Sequence, residues 1–424
     1  MCPWVQQDVP TVSAPVGNGM RVIELPVGGR LATSISIAFP AGSRHETAGE
    51  VGAAHLLEHM AFKGTAGRPT ARELNRAAER LGTELGASTG DGHVEFFATV
   101  RAESAMEVTD LLADLCGRPL LDPELLEGER AVVLQEIADD DEDPGGRAGE
   151  RLAAALFPGH RLATPITGKA ADIERLGHAA LVAFRERQWS PQAGVAILAG
   201  NLDHIDRAGL ARQLERIPAR PGPPTPPPIA AFAPRIEVEQ RDSEVVHLRL
   251  AYHLPGFDLT STRGRATAAI YSHVLGGPMG SRLFDEVREQ RSMCYAIDGY
   301  VWGYASTTFV SVDASLPPSR LVEARELIDA IIDDLRRHGP TDEEAYRARA
   351  YGMGAGALSF ESIGARAGHA LDVVMEFGDD DIDPMSYLRA IEAVGLEDLA
   401  AIAGRVVPEP CVGCVGPVDR HVFG

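Results

Sequence analysis

The sequence predicts an α+β fold of two homologous domains that arose by internal duplication, each a mostly antiparallel sheet packed against a layer of helices. Three observations lead there. Eight prolines fall between Ile217 and Pro234, near the midpoint of the 424 residues. Such density excludes helix and central strand and favours a stiff, extended spacer. The two halves also open and close alike. Ile35 to Pro40 alternates as a strand and leads through Gly42 into an apolar helical stretch from near Val51. Leu248 to Tyr252 does the same, leading through Pro255 and Gly256 into a helix around Ala266 to Leu275. The closing strands match too, Val195 to Asp203 against Cys411 to Asp419. Finally, strands and helices are grouped and do not alternate one for one, which fits a layered α+β fold better than a doubly wound one. The domains are expected at 1–217 and 235–424, joined by the proline-rich segment 218–234.

In the first half, apolar residues at helical spacing place helices at 50–62, 70–81, 102–115, 122–139, 147–156 and 178–187. Alternating runs place strands at 20–24, 31–39, 93–100 and 193–199. The charge balance, 40 Lys+Arg against 61 Asp+Glu for a net −21, argues against nucleic acid or anionic membrane as the main partner, since both reward clustered cations. With 45% hydrophobic and 24% charged residues, the chain has the balance of a globular enzyme and not of a disordered polymer. No apolar run is long enough to span a bilayer, and the N-terminus lacks the basic-then-apolar pattern of a secretory signal, so a cytoplasmic location is expected. The five cysteines are sparse and odd in number, as expected for reduced thiols. Cys411 and Cys414 form an isolated C-x-x-C in a strand-like segment. With no second Cys or His pair nearby, core packing is their expected role.

The chemistry concentrates in His55-Leu56-Leu57-Glu58-His59. On a helix, His55 and His59 share one face and both imidazoles reach a single ion, while Leu56 and Leu57 turn into the core. Glu58 stands on the adjoining edge of that face, where it can take a proton from a metal-bound water without being a ligand. Two histidines four apart are common by chance; the joint pattern H-x-x-E-H within an apolar helix is far rarer. A catalytic zinc needs a third protein ligand. The helical segment Glu129 to Ile137 offers Glu129 and Glu136, seven apart on one stripe, with Val132, Val133 and Ile137 expected to bury the other side. One glutamate could complete the site while the other hydrogen-bonds a ligand histidine. The block Asp139 to Asp143 reads as a solvated loop.

The stretch His55-Leu56-Leu57-Glu58-His59-Met60-Ala61-Phe62-Lys63-Gly64-Thr65 resembles the signature of the pitrilysin-type inverzincin zinc metallopeptidases, in particular the branch of the mitochondrial processing peptidase and its bacterial two-domain relatives. The resemblance spans the chain, duplication included. By the family's spacing, Glu136 corresponds to the third ligand of one Zn2+ per chain and Glu129 to the acid supporting a ligand histidine. The second half has no H-x-x-E-H and is expected to bind no metal. Its run Arg282 to Ala296 is similar to the family's second-domain motif, whose Arg and Tyr help bind substrate and the transition state. These map onto Arg288 and Tyr295, a guanidinium and a phenol able to hydrogen-bond a peptide carbonyl or a developing oxyanion. One departure stands out: relatives usually begin the substrate-binding edge strand with Asn-Ala before a Thr, whereas this chain reads Gly86-Ala87-Ser88-Thr89.

The resemblance therefore implies a zinc endopeptidase acting on peptides or unfolded and leader segments in a closed chamber, with zinc-bound hydroxide as attacking group and Glu58 as general base. Substrate is expected to dock as an added strand on a sheet edge. Relatives enclose substrate between four such domains, so a two-domain chain is expected to form a homodimer in which Arg288 and Tyr295 act in trans. The acidic balance fits a preference for basic peptides. The competing expectation from another class is a non-catalytic assembly subunit, against which the intact His55, Glu58, His59 and Glu136 speak. Leader maturation and general peptide scavenging are not distinguished by the residues.

Overall fold

The computed structural model describes residues 9–423, which form two compact units. The first consists of the chain through Ala138, residues 165–227 and residues 360–375; the second of residues 139–164, 228–359 and 376 onward. Each unit therefore takes one segment from the opposite half of the sequence.

The first unit is built on a six-stranded sheet of β1 (Thr11–Val12), β2 (Arg21–Pro26), β3 (Ala32–Phe39), β4 (Gly86–Thr89), β5 (Val94–Arg101) and β6 (Val195–Gly200), in the order β1-β2-β6-β3-β5-β4. All pairings are antiparallel except β2 with β6. β5 shows why one face is buried: Val94, Phe96, Ala98 and Val100 alternate inward, with Phe97 and Thr99 outward, as the pleat demands. Onto the apolar face, carrying Ile35, Ile37, Phe96 and Ala98, pack residues of α1 (Ala53–Ala61), α2 (Ala71–Arg80), α3 (Ala105–Gly117), α4 (Leu126–Glu142) and, past α5 (Pro144–Leu156) and α6 (Ala170–Arg175), of α7 (His178–Gln188). Trp189 stacks on Phe39 at 5.7 Å and meets Phe96 edge-on, closing this core beside α1. α8 (Arg207–Leu214) lies against α3. No helix or strand falls between Leu214 and Ile236, in keeping with the proline density.

The second unit repeats the plan with β7 (Ile236–Gln240), β8 (Val246–His253), β9 (Ala296–Tyr304), β10 (Thr307–Leu316) and β11 (Cys411–Gly416), ordered β7-β11-β8-β10-β9. Its single parallel pairing, β11 with β7, occupies the place of β6 with β2. The remaining helices are α9 (Thr262–Leu275), α10 (Leu321–His338), α11 (Asp342–Ser359), α12 (Ile363–Met375), α13 (Pro384–Glu392) and α14 (Leu396–Ala403). α5 packs on β11, β7 and β8 of the second sheet, and α12 packs on β6 and β3 of the first. The fold is thus the duplicated α+β architecture expected, 47% helical and 18% strand.

Two local expectations are corrected. The acidic block is no loop: α4 runs to Glu142, and Asp143 caps α5 by accepting from the Gly145 and Gly146 amides at 2.9 Å each. A run of carboxylates ends one helix and starts the next because an Asp at the N-cap satisfies amides that the helix leaves free. Val132 is 44% exposed and not buried; the inward stripe of α4 is Leu126, Arg130, Val133 and Ile137, the true 3.6-residue repeat. Cys411 and Cys414 are buried, free thiols in β11, the former donating to the carbonyls of Ala155 and Ala233.

Candidate metal centre

α1 begins at a corner that fixes its direction. Gly52 sits at φ 85°, and a Cβ there would come within 2.4 Å of Ile173 Cδ1, so both conformation and space require glycine. The first turn has no capping side chain of its own. Glu46, buried, supplies it from outside: its carboxylate accepts from the amides of Gly52 at 2.9 Å and Ala54 at 2.8 Å. Leu56, Leu57 and Met60 are then fully buried, which leaves His55, Glu58 and His59 on the remaining face, each half-buried.

α4 brings the third group. His55 Nε2 and His59 Nε2 stand 3.8 and 3.6 Å from the same oxygen, Oε2 of Glu136. These separations are too long for hydrogen bonds and close to the roughly 3.4 Å between neighbouring donors on a tetrahedral ion with bonds of about 2.1 Å. Donor atoms of His55, His59 and Glu136 lie within 4.8 Å of one another, the one such cluster among the described residues. The two rings meet edge-on at 4.7 Å. Nδ1 of His55 is buried without a hydrogen-bond partner. Burial and the neighbouring His59 push the His55 imidazole down to about 4, so it is neutral near pH 7 with a lone pair free for a cation. A half-buried pair of imidazoles and one carboxylate, all converging and not hydrogen-bonded to each other, fits zinc.

Two further side chains frame the cluster. Glu129 is turned to the other nitrogen of His59, Oε2 to Nδ1 at 3.5 Å, and its second oxygen is held by Lys63 Nζ at 2.6 Å. The glutamate left open by spacing alone is thereby assigned a place: Glu136 faces both Nε2 atoms and Glu129 faces away from the gap. Glu58 lies outside the cluster, and Thr89 Oγ1 donates to its Oε2 at 2.5 Å. Burial raises the Glu58 carboxyl above its ordinary value against the opposing pull of Thr89 and His59, the direction a proton acceptor working near neutrality needs.

Sequence reasoning gave no role to Lys63, Glu46 or Thr89. Their contacts span from 6 to 66 residues of chain and follow no periodicity. Thr89 is the residue a turn signal could have flagged, since Gly90-Asp91-Gly92 after it reverses the chain into β5. Arg288 and Tyr295 both lie in the second unit. Arg288 is on a π-helical turn, Phe284–Glu289, with its guanidinium 4.6 Å over the Phe284 ring. Tyr295 is 60% exposed and is anchored through its amide to the Ser315 carbonyl, so its phenol does not fill core.

At Gly86, where the family resemblance implies Asn, a ring lies over the backbone. β4 is the edge of the first sheet, Gly86 pairs with Phe97 of β5, and an added Cβ at Gly86 would lie 2.7 Å from Phe97 Cζ. The phenyl ring covers the glycine and occupies the space a side chain would need.

Known proteins resemble this chain over most of its length. Residues 30–170 match the family model described as insulinase (peptidase family M16), and residues 175–351 match the M16 inactive domain. An uncharacterized zinc protease of Mycobacterium tuberculosis is 31% identical over 91% of this chain and 88% of its own length. One from Streptomyces coelicolor is 29% identical over 95% and 88%. Among solved structures, a peptidase M16 inactive domain from Pseudomonas fluorescens superposes with a TM-score of 0.86 at 20% identity, covering 97% of this chain and 98% of that one. A protease from Helicobacter pylori gives 0.84 at 18%, covering 97% and 100%. No helix among the described residues is long and apolar enough to cross a membrane.

Proposed function

The chain belongs to the insulinase family of peptidases, family M16, and from that premise we propose that this metalloprotease holds one zinc ion between His55, His59 and Glu136 and cleaves extended peptides laid along the β4 edge. The observation that carries the reading is the convergence of three unbonded donors with a proton acceptor at their side. When bound, zinc supplies Lewis acidity, which lowers the pKa of a water and polarises a carbonyl. Everything else falls to the chain's own groups. Glu58 takes the proton of the attacking water and returns it to the leaving amine; its raised affinity for protons suits both halves of that task. Thr89 keeps the Glu58 carboxylate aimed. Glu129, neutralised by Lys63, orients the His59 ring. The free edge of β4 offers unpaired amides and carbonyls to a docked backbone, giving affinity with tolerance of sequence.

The same proposal extends to the assembly. Arg288 and Tyr295 of a second copy reach the substrate carbonyl, the working form is a homodimer, and the acidic surface favours basic or unfolded segments in an enclosed space. Metal analysis joined to digestion of a peptide library tests the core of the proposal. Purified protein should hold zinc and lose activity to a chelator, and Glu58→Gln should keep the metal while losing cleavage by a factor of a hundred or more, on the order of known acid–base contributions. Protein without zinc, or a Glu58→Gln variant as active as wild type, would sink it. Retained metal together with full inactivity of the wild type would favour the assembly-subunit reading instead.

A further inference from the structure

Gly86 is the point on the β4 edge where no side chain stands between the open strand edge and the strand behind it. Its register partner Phe97 projects on the sheet face opposite to the buried Phe96 and Ala98 and remains 38% exposed. The tip of the ring reaches over the glycine: Cζ, Cε2 and Cε1 lie 2.7, 2.8 and 3.3 Å from where a Cβ would be. A strand added to β4 runs about 4.8 Å beyond it, and residues in register point to the same face. The docked residue facing Gly86 therefore has its side chain on the Phe97 side, with only the glycine's hydrogens in between. Cross-strand neighbours on one face pack against each other, aromatic rings most of all. Two residues on, the same face carries Ser88, paired with Glu95, whose carboxylate accepts from Ser36; the apolar surface is confined to the Gly86 position.

We infer that Phe97 and Gly86 form an apolar side-chain subsite that selects an aromatic or long aliphatic residue at one position of the peptide. The inference rests on docking along β4 as proposed above. It also fixes where the selected residue lies. Gly86 is three residues from Thr89, the residue bonded to Glu58, and three is odd, so the selected side chain points away from the α1 face that carries the donors. The subsite is thus separate from the cleaved bond, and its residue should fall about two to four positions from it.

The zinc-loaded enzyme digesting a library of sequence-diverse peptides, with cleavage sites read by mass spectrometry, should show one such position enriched in Phe, Tyr, Leu or Met. Two decapeptides differing only there, Phe against Gly, should differ roughly tenfold in kcat/KM, the discrimination an apolar contact of this size gives. Phe97→Ala should bring that ratio close to one. Gly86→Ala serves as a second variant, because its Cβ must displace the ring, and it should lower the ratio even if Phe97→Ala fails to fold. Binding of the same decapeptides to the Glu58→Gln protein, followed by fluorescence anisotropy, should give a similar ratio of Kd values, lost in the double variants. Cleavage with no such enriched position, or a preference that survives both substitutions, overturns the subsite and leaves the peptidase standing. If the wild type cleaves no peptide, the docking reading itself fails and the subsite with it.

Discussion

Thr89 of β4 holds Glu58, the proposed proton acceptor, by a single hydroxyl. Replacing it by Val keeps the shape and removes the donor, leaving a half-buried carboxylate free to swing. Thr89→Val is expected to lower kcat by about ten- to a hundredfold, the usual loss for a misaimed group, with zinc content unchanged, while Thr89→Ser restores most of the rate. Equal loss in the Ser and Val variants would show that packing and not the hydroxyl matters. His55 gives a second residue-level expectation. Its imidazole is pushed down to about 4 in the fold and titrates near 6.5 in the unfolded chain. Above pH 6.5 neither state binds the proton. Between there and pH 4 the unfolded chain binds it and the native state does not, so acidification drains stability, on the order of 3 kcal/mol in total for the metal-free protein. Denaturant titrations of metal-free wild type and His55→Gln from pH 7 to pH 4 should show the wild type losing more; parallel curves would contradict the burial of a neutral ring.

At the scale of elements, α1 is a short helix whose position is set from outside itself. Its inward face, Leu56, Leu57 and Met60, supplies burial, but its amino end depends on Glu46, seven residues before its first residue, Ala53. Glu46→Ala leaves two buried amides without an acceptor, which should cost about 1–3 kcal/mol and loosen the ring positions. The expected outcome is a lower denaturation midpoint together with weaker zinc binding in a competition titration. Destabilisation with unchanged metal affinity would mean that α1 is held by its apolar face alone. This element was largely legible in advance. Leu56, Leu57, Glu58 and the histidines fall on the expected faces because the 3.6-residue period is local. Val132 was misplaced for the complementary reason: in Glu129 to Ile137 several stripes are nearly as apolar as one another, and only the packing of Arg130 against the Ile173 and Leu176 carbonyls selects the inward one. The Asp139 to Asp143 block was misread because charge density looks alike in a loop and at a helix end, while the capping bonds that distinguish them lie in the backbone.

For the whole molecule, the duplication read from the matching opening and closing strands of the two halves reappears in the sheet topology. The strand orders β2-β6-β3-β5-β4 and β7-β11-β8-β10-β9 correspond strand for strand, yet one half keeps the histidines and the other the Arg288 and Tyr295 pair. The placement of the two motifs in different units makes the homodimer proposal testable by complementation. Mixing a Glu58→Gln protomer with an Arg288→Ala protomer should re-form one intact site per mixed dimer and recover up to about half the wild-type rate per dimer, by the symmetry of a two-fold assembly. Verified mixed dimers with no more activity than either parent would place both motifs in the same protomer's site. The exchange of residues 139–164 and 360–375 between the units was not legible in the sequence. A helix's apolar stripe says that it packs but not on which of two similar sheets.

The sequence by itself determined the chemistry: two imidazoles and a carboxylate on one helical face, a choice of two glutamates for the third ligand, and the repeat that frames them. Those features are set by spacing of a few residues, or by patterns that recur, and so they survive being read one residue at a time. The tertiary structure decided which glutamate meets both Nε2 atoms, which hydroxyl bonds Glu58, which carboxylate caps α1 and which ring lies over Gly86 at the β4 edge. Each of these depends on side chains brought together by sheet register and helix packing, and the energy that selects them belongs to contacts between segments rather than to either segment alone.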